Sequence, residues 1–107
     1  MHQLIEAQVP LLAGTDTGLP TAAFGVTSYG TALHGELKLL VDEGMTPVQA
    51  LAAATSVPAR LFYFTDRGLI RPGMRADLVL VEGDPTHDIL ATRNIVAVWK
   101  RGVRVQR

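Results

Sequence analysis

The 107-residue chain has no cysteine. That excludes disulfide cross-links and thiolate metal sites, and it suits the cytoplasm. No apolar run approaches the roughly 20 residues that span a bilayer. The opening Met1-His2-Gln3-Leu4-Ile5-Glu6-Ala7 lacks the positive, apolar and small-residue regions of a secretory leader, so no membrane partner is expected. Aromatic residues are only 6% of the chain. The arginines are spaced through turns and strands and not along one helix, so a solvated basic surface is expected and no nucleic-acid partner. Histidine is scarce: His2, His34 and His87 stand far apart, with no His-x-His or His-Glu-x-x-His spacing. His34 reads as a packed or surface side chain, and His2 and His87 as solvent-facing. Ser28 and Ser56 lack a nucleophile-elbow context. Gly14-Thr15-Asp16-Thr17-Gly18 lacks the lysine and the glycine spacing of a phosphate loop.

What is present fits one small globular domain with a modest core. Apolar residues make up 48% and charged residues 19%, ordinary values for a folded chain. The formal net charge is zero, but it is split. Residues 1–57 hold one lysine and five carboxylates, while residues 58–107 hold nine basic and five acidic side chains. There is no internal repeat and no low-complexity segment.

The chain is organised around Val9-Pro10-Leu11-Leu12-Ala13-Gly14-Thr15-Asp16-Thr17-Gly18. A continuous apolar run of this kind fits a strand buried on both faces, over about residues 9–15. Such strands present functional residues at their C-terminal ends. Asp16 sits there and is the candidate catalytic carboxylate. Asp-Thr-Gly is also good turn material, and the local pattern does not choose between the two readings.

Residues 2–7 read as the end of a helix, and residues 17–30 as a long loop punctuated by Gly18, Pro20, Gly25, Ser28 and Gly30. The clearest helix covers about 31–44, with Leu33, Leu37, Leu40 and Val41 in one stripe and Gly44 as its stop. Thr46-Pro47-Val48-Gln49 carries a capping box with proline at the first helical position, opening a helix over about 47–54. A third helix is expected over about 58–64, bringing Leu61, Phe62 and Phe64 to the core. From residue 66 the texture becomes β: turns at Asp66-Arg67-Gly68 and Arg71-Pro72-Gly73, strands at 77–81 and 95–100, and a tight turn at Arg101-Gly102 into Val103-Arg104-Val105.

Leu11-Leu12-Ala13-Gly14-Thr15-Asp16 resembles the eighth barrel strand of the amidohydrolase superfamily, near its imidazolonepropionase and Xaa-Pro-dipeptidase-like branch. The resemblance continues through Leu33-His34-Gly35-Glu36-Leu37, Gly44 to Leu51, Ala53-Ala54-Thr55 and Pro58-Ala59. It runs on through Gly68-Leu69-Ile70-Arg71-Pro72-Gly73-Met74-Arg75-Ala76-Asp77-Leu78-Val79 to Asp84-Pro85 and Val98-Trp99-Lys100-Arg101-Gly102. Gly-Met-Arg-Ala-Asp-Leu-Val together with the Gly-Thr-Asp strand end is the specific part.

The resemblance implies an α/β fold: the last βα unit of a TIM-type barrel in residues 1–67, and the C-terminal strands of a flanking small β-sandwich in residues 68–107. It implies a metal-dependent hydrolase with one or two zinc ions, acting on amide, peptide or cyclic-amide C–N bonds of a small amide or dipeptide-like substrate. Asp16 would be both metal ligand and general base, a role a carboxylate beside an acidified water can fill. Thr15 and Thr17 are placed to hydrogen-bond it. The family's other ligands, on the first, fourth, fifth and sixth strands, have no counterpart in these residues, and Gln8 stands where the family usually has glycine. A whole barrel needs about 250 residues. The chain therefore reads as the C-terminal part of a larger enzyme, inactive and without tightly held zinc by itself, and either self-associating or associating with the remaining barrel segments. Two rivals are a small self-associating binding module that reuses the fold, and a retroviral-type aspartic protease built on Asp16-Thr17-Gly18. The second requires a nearly all-β chain.

Overall fold

The computed structural model describes residues 31–106. The expected strand at 9–15, the loop at 17–30 and the helix end at 2–7 lie outside the described residues.

Helix α1 spans Thr31–Asp42. Its apolar stripe turns Leu37 and Leu40 fully inward, leaves Val41 partly covered, and lets Leu33 reach the surface. Lys38 and Asp42 pair at 2.7 Å on its exposed side, a contact of small weight in water. The helix ends two residues before the expected position, in a closed Schellman turn. Gly44 N–H donates to Val41 O and Met45 N–H to Leu40 O, with Gly44 at φ 122°. Glycine takes that conformation without a Cβ penalty.

Helix α2, Pro47–Ala54, starts as its sequence specifies. The Thr46 hydroxyl accepts from Gln49 N–H at 3.1 Å, and Gln49 Oε1 accepts from Thr46 N–H at 2.9 Å. Ala50 and Ala53 are buried against α1. Their small side chains let the two helix axes approach closely, and Met45 and Leu51 fill the rim.

Helix α3 is Ser56–Leu61, which corrects the expected 58–64. Its buried residue is Ala59, whereas Leu61, Phe62 and Phe64 are exposed and not in the core. The cause is again a Schellman turn. Phe64 N–H donates to Ala59 O at 2.8 Å and Tyr63 N–H to Arg60 O at 3.3 Å. Tyr63 takes the left-handed position at φ 61°. The chain therefore leaves the helix before Phe64 can face inward.

The second half forms a three-stranded antiparallel sheet in the order β1-β2-β3, with β1 Leu78–Val81, β2 Ile95–Lys100 and β3 Val103–Arg104. Leu78 pairs with Trp99 and Leu80 with Ala97, and a bulge between Leu80 and Val81 brings Val81 opposite Ile95. A 3-10 segment, Ile89–Arg93, bridges β1 and β2. It sends Ile89 into the helical core beside Leu37, Leu40, Ala50 and Ala53. Ile89 thus helps to join the helical half to the sheet half. Three α-helices among the described residues cannot belong to the nearly all-β aspartic-protease fold. No helix among them is long and apolar enough to cross a membrane.

Candidate functional site

Asp16, with Thr15 and Thr17, lies outside the described residues. Residues 31–106 form a frame in which three side-chain contacts involve titratable groups near its turns and helix joins. The first joins α1 to the 3-10 segment: His34 Nδ1 lies 3.0 Å from Thr92 Oγ1, across 58 residues. Thr92 is buried, and its hydroxyl also lies 3.0 Å from Ile89 O. Burial lowers the His34 pKa, and the nearby Arg93 charge lowers it further.

The second contact holds the β2–β3 turn. Arg101 and Gly102 both have positive φ, at 52° and 79°, the signature of a type I′ hairpin turn. Arg101 N–H donates to Asp77 Oδ1 at 2.9 Å, and Gly102 N–H donates to Ala76 O at 2.9 Å. Arg75 Nε reaches the same carboxylate at 2.8 Å. The Arg101 amide, then the Arg75 guanidinium, hold the Asp77 pKa below the ordinary carboxylate range.

The third contact is the turn at Asp84. Its carboxylate accepts from the Thr86 hydroxyl and N–H, which lowers its pKa. His87 stands 3.9 Å away with a side chain 90% exposed, solvent-facing as its sequence context indicates. Sequence reasoning places Asp77 at the start of a strand and finds the tight turn at Arg101-Gly102, but it does not find the contact by which Asp77 secures that turn. Nor does it find the His34–Thr92 pair, which no local pattern announces.

These contacts are structural in kind. Among the described residues no three His, Asp or Glu side chains come together in a way that could hold a metal ion. The described donor set therefore does not fit a zinc ion, and Asp16 would add only one oxygen ligand group.

The sequence profile of the amidohydrolase family matches residues 1–106. An imidazolonepropionase from Streptomyces griseus is 39% identical over 105 residues, covering 94% of this chain and 27% of that enzyme. A solved Xaa-Pro dipeptidase with methionine bound in its active site is 32% identical, with a TM-score of 0.84 over 99% of this chain and 24% of its own. Phenylurea hydrolase B superposes with a TM-score of 0.86 at 30% identity, over 99% of this chain and 26% of its own. The chain spans about a quarter of the length of each.

Proposed function

The chain belongs to the amidohydrolase family, and on that premise we propose that it is the C-terminal part of a metal-dependent hydrolase acting on C–N bonds of small amide, cyclic-amide or dipeptide-like substrates. Residues 1–67 are assigned to the last part of a (β/α)8 barrel and residues 68–107 to strands of a flanking sandwich. Asp16 is assigned as metal ligand and general base, with Thr15 and Thr17 orienting it. The single observation that supports this reading is the family match over residues 1–106, a range that includes Gly14-Thr15-Asp16.

If Asp16 held a zinc ion together with ligands from elsewhere, the ion would supply an acidified water, and the Asp16 carboxylate would be the group of this chain that takes up a proton. The remaining ligands are assigned to polypeptide outside these 107 residues. By themselves these residues then hold no complete site and hydrolyse nothing. The exposed run of Leu61, Phe62, Phe64, Leu69 and Ile70 supports association with further polypeptide or with a second copy.

The test is a hybrid in which residues 1–106 replace the matching quarter of the Streptomyces imidazolonepropionase. Zinc binding and measurable turnover are expected, and Asp16→Asn is expected to remove turnover. Equal turnover by the Asp16→Asn hybrid would overturn the assignment.

A further inference from the structure

We infer that His34 is a positioning residue: it donates its Nδ1 proton to Thr92 and so latches the first turn of α1 onto the 3-10 segment, leaving Nε2 as the unprotonated nitrogen. A count of protons leads there. The Thr92 hydroxyl has one proton and two neighbours, Ile89 O and His34 Nδ1, each 3.0 Å from Oγ1. A backbone carbonyl only accepts. With the hydroxyl proton on Ile89 O, Nδ1 must carry its own proton for the second contact to be a hydrogen bond. The opposite tautomer makes only one of the two hydrogen bonds, so the Nδ1–H form is favoured by the bond it adds.

The latch is placed where it matters for the frame. His34 is the fourth residue of α1. Thr92 lies in the segment that also supplies Ile89 to the core. Arg93 is the charge that acts on His34 from that segment, while α2, packed on the same helix, carries no titratable side chain. Burial first, and then the Arg93 charge, favour the neutral imidazole, the form for which a tautomer is defined. α1 is also the helix into which the residues after Asp16 lead. The bearing of the latch on Asp16 rests on the function proposed above; the tautomer does not.

The experiment is nitrogen-15 NMR of the full chain with labelled histidine, at a pH above the His34 titration. His34 is identified by loss of its signal in His34→Gln. The wild-type chain and Thr92→Ser are expected to show protonated Nδ1 and bare Nε2. Thr92→Val is expected to shift His34 towards the Nε2–H form that free imidazole side chains prefer. It should also speed amide exchange over residues 35–38 by roughly three- to tenfold, with exchange over residues 50–53 unchanged. An Nε2–H signal in the wild-type chain, a random-coil His34 signal, or a Thr92→Val variant unchanged in both readouts would overturn the inference. Turnover of the hybrid enzyme reads the Asp16 assignment separately.

Discussion

Gly44 and Tyr63 occupy the same position in two helix-terminating turns of this chain. Each lies two residues past the end of its helix, takes a positive φ, and directs the next amide back to a carbonyl in the last turn. One is the residue that position favours, and the other carries an aromatic side chain 89% exposed to solvent. A non-glycine residue in the left-handed region costs about 1 kcal/mol or more. Tyr63→Gly is therefore expected to stabilise the chain by about 1 kcal/mol, and Gly44→Ala to destabilise it by a similar amount. Denaturant unfolding checks both, as opposite shifts in midpoint without a change in slope.

Gly68 is expected to tolerate no side chain. A Cβ there would lie 2.6 Å from Ala59 Cβ and 2.9 Å from Thr55 O, on a backbone at φ +94°. Two penalties combine, overpacking against α3 and left-handed strain. Gly68→Ala is expected to cost about 3 kcal/mol, read as a lowered thermal midpoint.

Asp77 secures the β2–β3 turn from another segment of the chain, 24 residues away. Its folded pKa lies below the ordinary 3.8. The stability it contributes is thus fully present above the unfolded value and is lost as pH falls through it to the folded value. Unfolding followed between pH 5 and 2, a range that brackets carboxylate titration, is expected to show this loss. Asp77→Asn should flatten that part of the profile and lower stability near neutral pH. An unchanged profile would show that the turn stands without the carboxylate.

His34 adds a second slope of the same sign, closer to neutrality. Its folded pKa is lowered from the ordinary 6.5 by burial and by Arg93. Between the folded value and 6.5 the unfolded chain binds more protons, so stability rises with pH through that window and falls on acidification. His34→Gln is expected to remove this slope. Comparison of the two chains isolates it from His2 and His87.

Much of this frame was legible in the residues themselves, because its signals are local. Thr46, Pro47 and Gln49 specify the start of α2 within four positions, and Gly44 marks the end of α1. The Arg101-Gly102 turn follows from two apolar strands closing on a glycine. The end of α3 was not legible, since Tyr63 stands where a glycine would have announced the stop, and Phe62 and Phe64 then read as core. Their exposure is set by where the chain turns and not by their hydrophobicity. His34 and Thr92 meet across 58 residues, and Asp77 meets Arg101 only because two loops converge. Such pairs belong to tertiary structure and leave no periodicity. For the candidate site the position is reversed. Asp16 stands out in the sequence and lies outside the described residues, so its assignment rests on pattern and family.

The most direct measurement is the zinc stoichiometry of the purified 107-residue chain after equilibrium dialysis. A site that draws its other ligands from elsewhere predicts far less than one ion per chain, unchanged by Asp16→Asn. One tightly held zinc per chain, lost in Asp16→Asn, would contradict it.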